Sequence, residues 1–190
     1  ASRARVPLVE TALETPFEFD GRAQSFPTNL TARDLSWNSL REVPAEIGSL
    51  KCLTSLHLSH NTLSLLPDAI GDLIKLETLD VSTNRLKRLP ENIGKLCNLL
   101  FINMDRNRLT VLPDTVGGMS SLQSLTIQQN ELQELPRMVG LMADLQTLNL
   151  SENYLTALPL DVAACGNLRR LYVSRNLLEG SPLPASVPAL

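Results

Sequence analysis

Residues 53–73 read LTSLHLSHNTLSLLPDAIGDL, and this stretch is one copy of a unit that recurs along the chain every 23 residues. Its asparagine belongs to a series with that spacing throughout: Asn38, Asn61, Asn84, Asn107, Asn130, Asn153 and Asn176. Its proline belongs to a second series, in which each member lies six residues after an asparagine: Pro44, Pro67, Pro90, Pro113, Pro136 and Pro159. A fixed period in this range is typical of a solenoid, in which each unit buries its apolar face against its neighbours.

The leucine spacing within the unit predicts one short strand per repeat. Leu56 and Leu58 flank the polar His57, and this alternation is the period of a half-buried strand. Because each repeat must return the chain beside the previous strand, we expect a parallel sheet. Pro67 then begins the return segment, and Ile70 follows at a spacing that suits a short helix or a 3₁₀ turn. Strands stack ~4.8 Å apart and helical segments are wider, so the array should curve with its strands on the concave side.

The asparagine series predicts a structural column. An asparagine side chain both donates and accepts hydrogen bonds, so it can satisfy backbone groups where the chain turns away from the strand. We expect each of the seven to bond to backbone groups of both neighbouring repeats. The whole series is therefore predicted to be structural.

The consensus unit L-x-x-L-x-L-x-x-N-x-L-x-x-L-P-x-x-I-G-x-L resembles the leucine-rich repeat family, in its 23-residue intracellular variety. The resemblance implies an α/β solenoid, a curved horseshoe with a parallel sheet on its concave face and short helices or 3₁₀ turns on its convex face. Proteins of this variety include Ras-pathway scaffolds, plant intracellular proteins and bacterial effectors delivered into host cells. They share partner binding, and an enzymatic activity, where present, belongs to another domain.

The repeat divides the chain into three parts. Residues 1–29 lack the repeat and contain Phe17, Phe19 and Phe26, so they are predicted to form an N-terminal cap over the apolar end of the array. Residues 30–178 hold about seven repeats. Residues 179–190 are either a C-terminal tail that closes the core or the start of a continuation.

Composition narrows the class of protein. With 190 residues, 43% of them hydrophobic, the chain can bury the core of one domain. Its net charge of −3 argues against a dedicated nucleic-acid binder, and no apolar run approaches the length of a membrane span. The first seven residues predict no secretory signal.

Cysteine usage indicates the compartment. Cys52, Cys97 and Cys165 are odd in number and unclustered, which is typical of a reducing compartment. We therefore expect a cytoplasmic protein. An organellar location after removal of a transit peptide, or delivery as a bacterial effector, stays open.

The candidate binding residues are those that the repeat leaves free on the strands. Positions six, four and two before each asparagine should face the concave side, and the residue just before the asparagine should lie at the end of the strand. Each of these positions should form a column across the sheet. Exposed aromatic and arginine side chains among small polar ones are typical of protein-binding anchors. Three clusters fit this description: Trp37, His57 and His60; Phe101, Asp105 and Arg106; and Arg170, Tyr172 and Arg175.

The same residues support metal binding or catalysis less well than protein binding. Asp34 and Asp80 on either side of His57 favour a protonated imidazole, which opposes metal binding, and an open face excludes little water. The serines of the column two before each asparagine have no base backed by an orienting acid, so nucleophilic catalysis is not indicated. We predict no metal, no cofactor and no small-molecule substrate. A basic strip on repeats three and four is either a solvated edge or a contact for an acidic partner or RNA: Arg85, Lys87, Arg88, Arg106 and Arg108.

The sequence therefore predicts a non-enzymatic module that recruits a protein partner through its concave sheet. One alternative is a structural subunit of a larger assembly, docked through its edges and convex side. The other is the substrate-recognition domain of a multidomain enzyme or effector.

Overall fold

The computed structural model describes residues 29–179, and within them the chain forms seven strands and six 3₁₀ helices. The strands are β1 (Ala32–Asp34), β2 (Ser55–His57), β3 (Thr78–Asp80), β4 (Phe101–Asn103), β5 (Ser124–Thr126), β6 (Thr147–Asn149) and β7 (Arg170–Tyr172). The 3₁₀ helices between them are Ala45–Ser49, Asp68–Asp72, Glu91–Lys95, Asp114–Gly118, Arg137–Leu141 and Leu160–Ala164. The predicted cap and the tail from residue 180 lie outside the described residues, apart from Asn29.

The strands pair in sequence order into one parallel sheet. Each residue pairs with the one 23 positions later, so that Ser55 pairs with Thr78 and Thr78 with Phe101. One repeat is therefore one coil of the solenoid, and we number the coils 1 to 7 after their strands. The predicted solenoid with strands on the concave face is confirmed.

The return segments on the convex side are 3₁₀ helices. The sequence had left open whether they are short helices or 3₁₀ turns. Pro67, with a φ of −70°, stands directly before the second of them, and the N–H of Ile70 donates to the Pro67 carbonyl. A glycine lies where each of the first five helices packs against the next one. At Gly94 an added Cβ would overlap the carbonyl oxygen of Thr115. Among residues 29–179, no helix has the length and apolar character needed to cross a bilayer.

The leucines of the repeat form one continuous core between the sheet and the 3₁₀ helices. Leu56, Leu58 and Leu79 are fully buried. Cys165 replaces a leucine in this core, where its thiol donates to the Val139 carbonyl 3.3 Å away and burial raises its pKa. Coil 7 is more open, because Leu171 and Val173 are only partly buried.

The asparagines form a ladder of hydrogen bonds with a direction, and we call them the ladder asparagines. The Asn107 amide donates to the carbonyls of Met104 and Asp105 in its own coil, and to Val81 in the preceding coil at 3.0 Å. Its side-chain oxygen accepts the N–H of Leu86, also in the preceding coil. The expectation of bonds to both neighbouring coils was wrong. The asparagine bonds between coil 4 and coil 5 come instead from the next ladder asparagine, Asn130, which bonds to Met104 and Leu109.

We expect Asn107→Ala to lower the free energy of unfolding by about 1–3 kcal/mol, because it strands buried backbone groups. Asn38 is exposed and, among residues 29–179, its side chain bonds to Leu35 and Ser36 of its own coil, so Asn38→Ala should cost less. Urea titrations of both variants measure the difference. Equal losses at the two positions would contradict a ladder that holds coils together.

Candidate protein-binding face

The sheet register places the predicted columns side by side on the concave face. The column four before each ladder asparagine runs Asp34, His57, Asp80, Asn103, Thr126, Asn149 and Tyr172. Three large aromatic side chains stand out from the face in coils 1, 4 and 7. Trp37 is 75% exposed, Phe101 47% and Tyr172 49%. The face thus carries three separated aromatic groups.

The N-terminal cluster is built around a stacked ring pair. Trp37 and His60 lie with ring centroids 3.6 Å apart and planes 8° from parallel. His57 does not join them; its Nε2 is hydrogen-bonded to the Ser55 hydroxyl at 2.9 Å. The stack therefore presents a flat surface at this end of the sheet.

The carboxylates on either side of His57 hold the backbone where the chain leaves the strand. Asp34 accepts the N–H of Ser36, and Asp80 accepts the N–H of Ser82, each at 2.9 Å. The bond from the Ser36 backbone is the main reason that the pKa of the Asp34 carboxyl is lowered. No group of three or more His, Cys, Asp or Glu side chains within residues 29–179 is arranged to hold a metal ion.

The residue before each ladder asparagine has an unusual backbone, with φ between 52° and 59°. We call this series the rim column: Trp37, His60, Thr83, Arg106, Gln129, Glu152 and Arg175. The left-handed region favours glycine, and it costs other residues roughly 1–2 kcal/mol. This conformation could not be predicted from the sequence, because no rim position is a glycine.

The middle cluster combines a held carboxylate with an exposed arginine. The Asp105 carboxylate accepts the N–H of Gln128 in the next coil at 2.6 Å. Burial raises the pKa of the Asp105 carboxyl. Arg106 and Phe101 of the same coil are exposed, so this part of the face has both area and charge.

A hydrogen-bonded network connects the middle cluster to the C-terminal one. Nε of Arg106 donates to Gln129 Oε1 at 2.9 Å, and Gln129 Nε2 donates to Glu152 Oε2 at 3.0 Å. Arg175 Nη1 lies 3.5 Å from the same Glu152 oxygen, while Gln128 Nε2 donates to Glu152 Oε1 at 2.9 Å. Bonds from Gln129 and then Gln128 lower the pKa of the Glu152 carboxyl.

Sequence reasoning missed the three linking residues Gln128, Gln129 and Glu152. Their positions in the concave columns could have marked them, since residues 23 apart are neighbours across the sheet. The C-terminal residues Arg170 and Tyr172 lie exposed on β7, in the same coil as Arg175. Of the predicted basic strip, Arg106 belongs to this network, and the other four are exposed beyond the ladder asparagines.

Comparison with known proteins identifies the family. One family model, described as a leucine-rich repeat region, matches residues 44–131, and another, described as a leucine rich repeat, matches residues 120–178. The chain belongs to the leucine-rich repeat family. Folds of this family generally mediate protein–protein interaction. A search of curated proteins found no match.

Three solved structures illustrate the likeness. A leucine-rich repeat protein of Leptospira interrogans is 28% identical, with a TM-score of 0.60 over 78% of this chain and 50% of its own. The plant peptide hormone receptor RGFR1, in complex with RGF2, is 30% identical, with a TM-score of 0.74 over 80% of this chain and 25% of its own. An internalin of Listeria monocytogenes is 19% identical, with a TM-score of 0.72 over 86% of this chain and 47% of its own, and shows the fold alone. The chain therefore spans half or less of each.

Proposed function

We propose that this protein is a non-catalytic module that recruits a protein partner through its concave sheet face. The observation that carries the proposal is the set of exposed aromatic side chains on that face, Trp37, Phe101 and Tyr172. Aromatic residues and arginine dominate binding energy at protein interfaces, since they combine area with directed hydrogen bonds. Arg106 lies in the same coil as Phe101, and Arg175 in the same coil as Tyr172.

The rim column supports the same proposal. Glycine would relieve the cost of the left-handed backbone at every rim position, yet all seven described positions carry side chains. Residues with a strained backbone cluster at ligand-binding and other functional sites. At the rim these side chains include Trp37, Arg106 and Arg175, which border the concave face.

The similar structures support a polypeptide ligand. RGFR1 is a peptide hormone receptor and was solved with RGF2 bound. The proposal includes a reducing compartment, since the described thiols Cys52, Cys97 and Cys165 are free. Because the chain matches only a quarter of the receptor, a recognition domain within a larger enzyme or effector is a variant of this proposal.

A second candidate is a structural subunit that docks through its convex side. Leu141 and Leu160, on the last two 3₁₀ helices, are 62% and 76% exposed. Exposed apolar surface of this kind marks an interaction site where it is contiguous. In earlier repeats, the position of Leu141 is occupied by Asp72 and Lys95, and the position of Leu160 by Asp68 and Glu91.

The test is affinity capture from the native source, followed by Kd measurement with the purified partner. We expect Phe101→Ala plus Arg106→Ala to fold normally and to lose at least ~2 kcal/mol of binding, the size of a hot spot. The matched control is Asp68→Ala plus Glu91→Ala on the convex side, which should leave the Kd unchanged. Retained affinity in the first variant, with loss in Leu141→Ser plus Leu160→Ser, would support the structural-subunit candidate instead.

A further inference from the structure

Two pairs of an aromatic and an arginine side chain lie three strands apart on the concave face. The arginines share the rim column, whereas Phe101 lies six residues before its ladder asparagine and Tyr172 four residues before. Coil 4 carries Phe101 and Arg106, and coil 7 carries Tyr172 and Arg175. The two arginines have nearly the same backbone conformation, with φ of 55° and 54°, so their side chains leave the rim in the same way. The two aromatic side chains are almost equally exposed.

The hydrogen-bonded network between the pairs occupies the carboxylate oxygens of Glu152 and leaves arginine N–H groups available as donors. Both carboxylate oxygens of Glu152 accept bonds from Gln128 and Gln129, and one of them also faces Arg175. The described bonds of Arg106 engage only its Nε, so both of its terminal amino groups are left for a ligand. Arg175 contributes a single terminal nitrogen to its ion pair, and its side chain is 79% exposed. The rim therefore offers two positioned guanidinium groups to an acceptor.

The charge of the half-buried Asp105 carboxylate acts on Arg106, but its described hydrogen bond is accepted from the backbone N–H of Gln128 and not from the guanidinium. A guanidinium whose position is fixed by a neighbour loses little freedom on binding a carboxylate, and it binds that group in a bidentate manner. Carboxylates are thus the acceptors that these two arginines suit best.

The spacing of the pairs selects the conformation of the ligand. Three strand intervals at ~4.8 Å separate the arginines by about 14 Å. In an extended chain, residues i and i+4 point to the same side and lie about 13–14 Å apart. In an α-helix about 14 Å corresponds to roughly ten residues, which do not share a face at 3.6 residues per turn. An extended chain across the strands matches the two arginines, and a helix does not.

The floor between the two pairs leaves room for such a chain. On their strands, coils 5 and 6 present half-buried side chains without charge or large apolar groups: Ser124, Thr126, Thr147 and Asn149. On the rim between the two arginines lie Gln129 and Glu152, and both carboxylate oxygens of Glu152 already accept hydrogen bonds. Phe101 and Tyr172 bound this floor at either end. Small hydroxyl and amide groups can hydrogen-bond to a ligand backbone without obstructing it.

We propose that the rim binds an extended acidic segment of the partner, with Asp or Glu side chains at positions i and i+4 on Arg106 and Arg175. This inference rests on the proposed function and specifies the kind of partner that the concave face accepts. The two carboxylates set the position of the segment, and Phe101 and Tyr172 contribute contact area at its ends.

The test uses a displayed library of random linear peptides selected against the full 190-residue chain. Enriched peptides should carry Asp or Glu at two positions four residues apart. Synthetic copies with amidated ends, in which only side chains supply carboxylates, should bind Arg106→Gln and Arg175→Gln at least ~10-fold more weakly than the wild type. One glycine inserted between the two acidic residues should weaken binding to a similar degree.

Two control variants separate charge from geometry. Arg108→Gln makes the same charge change beyond the ladder asparagine and should leave peptide affinity unchanged. Arg106→Lys keeps the charge without the planar donor pair and should give an intermediate loss. Equal effects of Arg106→Gln and Arg108→Gln would show that only net charge matters and would overturn the inference.

The remaining outcomes distinguish this inference from the proposed function. Enrichment of peptides without paired acids, or of none, overturns the acidic-segment inference. If the affinity for the native partner still falls in Phe101→Ala and Tyr172→Ala, the concave face keeps its proposed role. If native-partner binding survives every concave variant, the proposed function fails as well.

Discussion

Leu79→Ala is expected to lower the free energy of unfolding by about 2–5 kcal/mol, the usual cost of a buried leucine truncation. Leu79 has no exposed surface, and it pairs with Leu56 on one side and Ile102 on the other. The cavity would lie in the middle of a continuous core, where the coils on both sides limit collapse. Urea or thermal unfolding monitored by circular dichroism measures the loss.

The control lies one residue further along the same strand. Asp80 faces the concave side and accepts the N–H of Ser82. Asn103 and Asn149 make the same bond in their own coils, so Asp80→Asn retains the acceptor. Its effect should stay below about 0.5 kcal/mol. A larger loss from Asp80→Asn than from Leu79→Ala would mean that the two faces of the sheet are assigned the wrong way round.

Gly94→Ala is expected to cost about 3 kcal/mol or more, at the upper end of overpacking effects. The new methyl group would collide with the Thr115 backbone carbonyl of the next 3₁₀ helix, and backbone cannot move aside as a side chain does. The third and fourth convex helices would have to separate. The same urea experiment measures the effect.

Gly166→Ala is the matched control, because a Cβ at Gly166 meets nothing within 4 Å. It should be neutral or slightly stabilising, since alanine reduces the freedom of the unfolded chain. Position 163, where the glycine series would continue, is an exposed alanine, and no described 3₁₀ helix follows it. A Gly94→Ala variant as stable as the Gly166→Ala variant would refute the close packing of the convex helices.

The fold could be predicted from the sequence because the strongest sequence signals are periodic. Leu56, Leu79 and Ile102 occupy one phase, and a parallel register of 23 residues is the arrangement that brings them together. The ladder asparagines fixed the same register from polar chemistry. The direction of the asparagine hydrogen bonds could not be predicted, since an amide that both donates and accepts can bond to the preceding or to the following coil.

The candidate site was less predictable, because it depends on side-chain geometry. The columns placed Trp37 beside His60, but the stacking of the two rings depends on their side-chain orientations. The link from Arg106 through Gln129 and Glu152 to Arg175 depends on long side chains adopting compatible rotamers. The left-handed rim was hidden because the residues that adopt it are not glycines.

The direction of the asparagine ladder has a consequence for the order of assembly during synthesis. The N–H of Leu63 in coil 2 is accepted by Asn84, which belongs to coil 3, and the same relation recurs along the array. A coil that has just left the ribosome therefore has an open turn until the next coil follows it. Domains acquire structure from the N-terminal side as they are made. The chain is thus stabilised in the order of translation, and its newest coil is always the least complete.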